Sequence, residues 1–139
     1  MTCYIDSSVF IESLFSRKKH AVSLDIYGEI YSSRLLQTEC ARVMIREILA
    51  KNIPESSYAQ MKNVLMKAIS GISLIHVDEN ILSTAETPFP MHLATLDSIH
   101  LATALNLKKS LGDEEFFFLT YDEKLGKAAQ VMGLQVLGI

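Results

Sequence analysis

The sequence has 139 residues, of which 49% are hydrophobic, which is the size of one ordinary domain with enough apolar side chains for a sizeable core. No apolar run is long enough for a transmembrane helix and no basic segment opens the chain, so we expect a soluble cytoplasmic protein whose residues 1–139 form a single domain. The formal net charge of −3 would become positive if cations neutralised four of the 16 acidic residues, so charge neither requires nor excludes an RNA partner.

Short apolar runs alternate with helical patterns in the first half of the chain. They predict a strand at residues 2–5, followed by helices at 8–15 and 20–28. A second strand is predicted at 30–36 and a long helix at 38–51. Ser7 or Ser8 is expected to cap the first helix. The long helix carries an apolar stripe at helical spacing, made of Cys40, Ala41, Met44, Ile45 and Ile48.

The alternation continues in the second half. Pro54 is well placed to open a helix that runs to about residue 70, with Gly71 at its end. The segment Thr87-Pro88-Phe89-Pro90 contains two prolines and predicts a loop. Gly133 is expected to close the last helix. The remaining strands are predicted at residues 72–77, 116–120 and 134–137. The remaining helices are predicted from about residue 78, where a short one begins, and at 97–109 and 121–132.

Strands that alternate with helices imply parallel pairing through right-handed crossovers, so the predicted fold is a three-layer α/β/α sandwich with a mostly parallel central sheet. Ligands of such sheets bind at the carboxyl ends of the strands. Asp6 directly follows the first strand, and Glu39 is expected in the first turn of the helix after the second. Asp97 opens its helix, and Asp122 lies two residues past a later strand. We therefore expect these four acids, here called the acidic quartet, to converge.

Each acid alone could simply complement a helix dipole, which is worth roughly 0.3 to 1 kcal/mol. Four carboxylates in one crevice, however, repel each other unless some are protonated or cations bind. Oxygen ligands without Cys or His suit Mg²⁺ or Mn²⁺, and two such ions can promote phosphodiester cleavage. Cys3 and Cys40 fall on apolar patterns typical of buried thiols, and the histidines show no zinc-site spacing. Phosphoryl chemistry is therefore the leading reaction class.

Four segments around the quartet carry a family resemblance: YIDSSVF at 4–10, TECAR at 38–42, LDSIHLATA at 96–104 and LTYDEKL at 119–125. In this order, and over nearly the whole chain, they resemble the PIN-domain ribonucleases, most closely the VapC-type toxins of toxin–antitoxin pairs. The resemblance implies a PIN-like fold and a metal-dependent endoribonuclease whose catalytic and metal-binding acids map onto the quartet. It also implies a homodimer and a cognate antitoxin that inserts a peptide into the acidic groove.

Several neighbours of the quartet have a functional and a simpler interpretation. Ser8 and Thr120 match hydroxyl positions near the family's acidic centre and could bond a carboxylate or a bound water, or else only cap a helix or close a turn. Arg42 and Arg46 share one helix face with Glu39 and could contact a phosphate or an antitoxin. The simpler alternative is an intrahelical pair of Glu39 with Arg42, worth a few tenths of a kcal/mol.

Two further groups invite a functional assignment. His100 lies one turn after Asp97 and could act as a general base, but we favour a structural role for it. The basic segment at residues 17–19 is typical of a solvated loop end, although it could form an edge of an RNA groove.

The sequence leaves two alternatives to a toxin nuclease open. One is a catalytically silent PIN-like module that binds RNA or protein, against which the complete quartet argues. The other is a housekeeping RNA-processing nuclease. A phosphatase of the haloacid dehalogenase type is disfavoured because it would need a second Asp where this chain has Ser8. Dinucleotide and P-loop sites are disfavoured because no glycine-rich motif follows the first strand.

Overall fold

The computed structural model describes residues 1–15 and 22–139. Within these residues, the strands and helices follow the predicted order, except that the helix predicted at residues 20–28 is absent from its described part. They are β1 (Thr2–Ile5), α1 (Ser7–Phe15), β2 (Glu29–Ser33), α2 (Leu35–Ala50), α3 (Glu55–Ile69), β3 (Ser73–Ile75), α4 (Glu79–Ala85), α5 (Thr95–Leu111), β4 (Phe116–Leu119), α6 (Glu123–Val131) and β5 (Gln135–Leu137).

The strands form one sheet in the order β3-β2-β1-β4-β5, and every neighbouring pair is parallel. Strand β1 lies in the centre, and its last residue, Ile5, is paired with Leu119, the last residue of β4. The carboxyl ends of these two strands therefore lie level at one edge of the sheet. Strands β2 and β3 lie on one side of β1, and β4 and β5 lie on the other. A doubly wound sheet offers its ligand crevice where the strand order reverses in this way, at the carboxyl ends of the strands.

The side chains of β1 divide the core between the two faces of the sheet. Cys3 and Ile5 point to one side and pack in a buried cluster with residues of α1, α2 and α3. Tyr4 points to the other side and packs with residues of α5 and α6, while α4 lies against α5. This alternation follows from the two-residue period of a strand. The α/β/α sandwich predicted from the sequence is therefore confirmed.

Most predicted helix ends agree with the structure. Pro54 directly precedes α3, and Asp78 caps α4 by accepting a hydrogen bond at 2.9 Å from the backbone N–H of Ile81. The segment with the two prolines lies in the loop between α4 and α5. Gly133 follows α6 with a φ of +91°, a conformation that glycine adopts without strain.

The predicted start of the first helix is wrong by one residue, and so is its predicted cap. Helix α1 begins at Ser7, and Asp6 is the residue that caps it, since its Oδ1 accepts a hydrogen bond at 3.2 Å from the N–H of Val9. Aspartate is as good a cap as serine. The hydroxyl of Ser8 is engaged elsewhere, because it donates to Asp6 itself.

The predicted position of Glu39 in a first helical turn is also wrong. Strand β2 ends at Ser33, and the Oγ of Ser33 accepts a hydrogen bond at 3.1 Å from the N–H of Leu35, where α2 begins. This local bond starts the helix earlier than the apolar stripe indicates. Glu39 consequently lies in the second turn of α2.

The helix predicted at residues 20–28 is absent from its described part, residues 22–28, and the rest of that prediction lies outside the described residues. A turn forms instead, in which the N–H of Tyr27 donates to the carbonyl of Leu24 at 3.2 Å. The N–H of Gly28 donates to the carbonyl of Met1 at 3.0 Å, which fixes this segment against the start of β1. Glycine also weakens any competing helix.

No helix in residues 1–15 and 22–139 is long and apolar enough to cross a membrane. Cys3 and Cys40 are both buried, and both are free thiols. Burial raises the pKa of each thiol to about 12, so both are protonated and unreactive near neutral pH.

Candidate active site

A hydroxyl group links the two acids that follow β1 and β4. The Oγ1 of Thr120, which is fully buried, donates to Oδ2 of Asp6 at 2.6 Å. The same oxygen accepts a hydrogen bond at 3.0 Å from the backbone N–H of Asp122. Asp122 in turn caps α6, since its Oδ1 accepts from the N–H of Leu125 at 2.8 Å. The level ends of the two paired strands therefore hold Asp6 and Asp122 on either side of one threonine.

Asp6 is a buried carboxyl with donors on both oxygens. It is 4% exposed, and Ser8 donates to its Oδ1 at 2.6 Å. The Oγ of Ser8 also accepts a hydrogen bond at 3.0 Å from the N–H of Tyr121, so it joins α1 to the end of β4. Burial raises the pKa of Asp6, and the hydrogen bonds from Ser8 and Thr120 offset that rise only in part. The structure thus brings Ser8 and Thr120 into direct contact with one member of the quartet.

Glu39 reaches the same edge of the sheet from α2. Its Oε1 lies 2.6 Å from Nε2 of His100, and its Oε2 accepts a hydrogen bond at 3.0 Å from the hydroxyl of Ser7. The Glu39 side chain is 17% exposed, so it is less deeply buried than its partner His100, which is 1% exposed. Glu39 is therefore held between the start of α1 on one side and α5 on the other.

Helix α5 begins at Thr95 and not at Asp97 as predicted, but Asp97 still lies in its first turn. Its pKa is raised first by burial and then by repulsion from Asp122, Asp6 and Glu39, and it is lowered by His100. The quartet predicted from the sequence therefore gathers in one place, close enough for its members to repel each other.

The chemistry of this cluster fits a hard divalent cation, because all four acids offer oxygen and a cation would offset their mutual repulsion. The arrangement of the side chains is not yet that of a closed metal site. Within the described residues, no three Asp, Glu, His or Cys side chains come together as a group that could hold a metal ion.

The two arginines of α2 differ in their distance from the acids. Both are exposed, and both line a groove along the outer face of the helix. Arg42 also lines a second groove of about 330 Å³ that includes Ser7, Glu39 and Leu96. This groove adjoins the edge of the sheet where the acidic quartet lies, here called the acidic edge. Arg46 lies one turn further away. The basic segment at 17–19 lies outside the described residues.

Sequence reasoning missed the role of His100 as a partner of Glu39. His100 lies one turn after Asp97, so it shares the helix face that points toward the acids. Tyr4, two residues before Asp6, points to the same layer as His100. Its hydroxyl lies 2.7 Å from Nδ1 of His100. A polar residue at an inward position of a buried helix was the signal that could have indicated such a contact.

A parallel α/β/α sandwich with acids gathered at the carboxyl ends of its central strands is the arrangement that the sequence resemblance implied. The PIN domain family matches residues 3–131. The chain therefore belongs to the PIN-domain family.

Two relatives carry the comparison further. The chain is 31% identical to Ribonuclease VapC46 of Mycobacterium tuberculosis (strain ATCC 25618 / H37Rv) over 134 residues, which is 96% of this chain and 95% of that protein. It is 34% identical to Ribonuclease VapC47 of Mycobacterium tuberculosis (strain CDC 1551 / Oshkosh) over 65 residues, or 47% of this chain and 45% of that protein. Within the PIN-domain family, the chain thus groups with the VapC ribonucleases, as the four segments indicated.

The Thr120→Val substitution tests how the buried acid is held. It removes the hydroxyl from a charged acceptor, so we expect a loss of about 1.5 to 3 kcal/mol in the free energy of unfolding at pH 7. Hydrogen bonds favour the ionised form of Asp6, so its pKa should rise further in the variant. Protonation of Asp6 then removes the part of the difference that comes from the charged acceptor as the pH falls, whereas the part that comes from the unpaired N–H of Asp122 stays constant. Urea titrations at several pH values would measure both parts.

The matched control is Thr103→Val, because the buried hydroxyl of Thr103 donates to the carbonyl of Ile99 and not to an acid. Its destabilisation should not depend on pH. An equal, pH-independent loss in both variants would contradict this account of Asp6.

Asp97→Asn should stabilise the metal-free protein. A raised pKa means that ionisation is less favourable in the folded than in the unfolded chain, so ionised Asp97 lowers the free energy of unfolding at pH 7. Asparagine removes the charge while keeping the size, and we expect the midpoint of thermal unfolding in EDTA to rise by a few degrees. Asp78→Asn, at the cap of α4, should leave it nearly unchanged, because Asp and Asn cap equally well. A lower midpoint for Asp97→Asn would count against mutual repulsion.

Proposed function

We propose that the protein is an endoribonuclease that depends on Mg²⁺ or Mn²⁺, with the acidic quartet as its catalytic and metal-binding residues. The observation that carries the proposal is the gathering of four carboxylates from different elements at one edge of the sheet, where burial and then repulsion from the other three acids raise the pKa of Asp97. Repulsion among these carboxylates lowers the stability of the folded protein unless a bound cation offsets it, so the cluster is best explained by a ligand. The PIN-domain match and the similarity to proteins named VapC ribonucleases support the choice of RNA as substrate.

Three acids of the quartet are held in place by hydrogen bonds that suit this proposal. Divalent ions, when bound, would activate a water and stabilise the leaving oxygen as an RNA phosphodiester is hydrolysed. Asp6 is fixed by donors on both oxygens, so its position is set before RNA arrives. Asp122 is tied to the same threonine through its backbone, and Glu39 enters from the opposite layer. Ser8 and Thr120 thus act on the carboxylate of Asp6 and not on the substrate.

The groove that starts at Glu39 offers a path for the RNA strand. Its accessible surface is largely apolar, and the exposed Arg42 is one of the residues that line it. A guanidinium group can hold a phosphate through two parallel hydrogen bonds. We infer that Arg42 contacts a phosphate beside the cleaved bond, with Arg46 one turn further along the strand. The same positive charges suit an acidic segment of an antitoxin.

The likeness to VapC ribonucleases extends the proposal to a biological role. We infer that the protein is the toxin of a type II toxin–antitoxin pair, that it works in the cytoplasm as a homodimer and that residues 1–139 form one PIN-like domain. A cognate antitoxin would insert a peptide into the acidic groove. Sedimentation velocity would test the homodimer, which a purely monomeric protein at micromolar concentration would contradict.

A catalytically silent PIN-like binding module is the second candidate. The observation that favours it is that both oxygens of Asp6 and both oxygens of Glu39 already accept hydrogen bonds from the protein. A carboxylate oxygen has more than one lone pair, so these bonds leave room for a cation. RNA cleavage therefore separates the two candidates.

Cleavage of structured RNAs should depend on the metal and on the acids together. We expect wild type to cut in Mg²⁺ or Mn²⁺ and to stop in EDTA, and Asp6→Asn and Asp97→Asn each to lose activity by about a hundredfold or more. Asp78→Asn, which changes an acid away from the quartet, should cut like wild type. Equal cleavage by all four proteins, or cleavage that EDTA does not affect, would refute the metal-nuclease proposal.

Expression in growing cells tests the toxin role separately. Wild type alone should arrest growth, Asp97→Asn should not, and co-expression of a small DNA-binding protein encoded by a neighbouring gene should restore growth. Colony counts after induction measure all three. Harmless expression of a protein that cleaves RNA when purified would instead indicate the housekeeping nuclease.

A further inference from the structure

Tyr4, His100 and Glu39 form a chain of hydrogen bonds that crosses the buried layer between β1 and α5. The hydroxyl of Tyr4 lies 2.7 Å from Nδ1 of His100, and Nε2 of His100 lies 2.6 Å from Oε1 of Glu39. Tyr4 is 0% exposed and His100 is 1% exposed. Of these three hydrogen-bonded residues, only Glu39 reaches the surface of the acidic edge.

The chemistry of the partners fixes the direction of these bonds. A carboxylate only accepts, so Nε2 of His100 must donate to Glu39. A neutral imidazole that donates from one nitrogen accepts at the other, and the hydroxyl of Tyr4 is the group placed to donate there. Both ring nitrogens are thereby engaged inside the protein. This geometry excludes His100 as a general base, because neither nitrogen is open to a substrate.

The two aromatic rings behind Glu39 are held firmly. The ring of Tyr4 stacks on that of Phe118 in β4, with centroids 5.5 Å apart and planes inclined by 5°. The imidazole of His100 meets Tyr4 edge to face, with centroids 5.9 Å apart. Its neighbours along α5, Ile99 and Leu101, are buried. The donor that faces Glu39 is thus anchored in the central sheet and the longest helix that the structure describes.

We propose that His100, supported by Tyr4, is a positioning residue that aims the Glu39 carboxylate at the divalent cation; this inference rests on the proposed function. A glutamate side chain is flexible, and ordering it on cation binding costs conformational entropy. His100 holds one oxygen and Ser7 the other, so the carboxylate is ordered beforehand. Partners of this kind typically change metal affinity about 10- to 100-fold.

Two amide substitutions separate the contact to Glu39 from the contact to Tyr4. In His100→Gln the side-chain nitrogen comes near the place of Nε2 and keeps a donor for Glu39. In His100→Asn the shorter amide comes near the place of Nδ1, so it keeps a partner for Tyr4 and loses Glu39. Both variants bury one neutral amide, so a merely structural role predicts similar behaviour for the two.

The direct readout is Mn²⁺ affinity of the RNA-free protein, measured by the electron paramagnetic resonance signal of free Mn²⁺. We expect His100→Asn to weaken binding about 10- to 100-fold and His100→Gln to retain affinity within a few-fold of wild type. The metal concentration that half-activates RNA cleavage should follow the same order, with little change in the KM for RNA. His92→Asn, the same change at an exposed histidine, should bind Mn²⁺ like wild type.

The outcomes distinguish this inference from the function on which it rests. If Glu39→Gln weakens Mn²⁺ binding while His100→Asn does not, the positioning role is wrong and the metal site stands. Equal weakening in the Asn and Gln variants also overturns it. If wild type and Asp97→Asn bind Mn²⁺ equally, or neither binds it, the proposed function itself fails.

Tyr4→Phe covers the case in which His100→Asn does not fold. It removes only the hydroxyl behind the imidazole and keeps the ring that stacks on Phe118. We expect it to fold and to weaken Mn²⁺ binding several-fold, because the imidazole loses the partner of its second nitrogen. Wild-type affinity in Tyr4→Phe would contradict the inference.

Discussion

The parallel pairing of β1 with β4 is the constraint on which the acidic edge depends. Because Ile5 is paired with Leu119, the next residues, Asp6 and Thr120, come out level and within hydrogen-bond distance of each other. A register shift of one residue would turn every side chain of a strand to the opposite face. The same register that buries Tyr4 in one core and Ile5 in the other therefore also sets the distance between Asp6 and the start of α6.

Burial and charge oppose each other at this edge. Asp6 is almost wholly buried, yet its environment contains hydroxyl and N–H donors that favour the ionised form without removing the effect of burial. Asp97 has acids as near neighbours instead, and its pKa rises for that reason as well. A protein that needed only to fold would gain stability by losing one of these charges. The proposed function accounts for the cluster, because bound cations would offset these charges.

The sequence could predict what depends on local pattern. Apolar runs and helical stripes locate the strands and most helices, and prolines or acids mark helix starts such as those after Pro54 and Asp78. The early start of α2 depends on a single bond from the N–H of Leu35 to Ser33, which no apolar pattern reveals. The turn at residues 22–28 depends on contacts with the start of the chain. Such tertiary contacts override local propensity.

The candidate site also combines features that local pattern predicts with contacts that it does not. Asp6, Asp97 and Asp122 could be proposed because each stands where a strand ends or a helix begins, whereas Glu39 lies in the second turn of α2 and was found through the resemblance of its segment to a known family. The contact of His100 with Glu39 joins residues 61 positions apart in the chain, on helices in different layers. It exists because Tyr4 faces the same layer and holds the imidazole from behind. Side-chain periodicity gives the face of each residue but not which two polar atoms meet.

The most direct test of the account is anomalous diffraction from crystals of wild-type protein grown with Mn²⁺. The account predicts manganese peaks bounded by the carboxylates of Asp6, Glu39, Asp97 and Asp122, and their loss in crystals of Asp97→Asn. Manganese that binds elsewhere on the protein, with no peak among these four acids at a concentration that supports RNA cleavage, would contradict it.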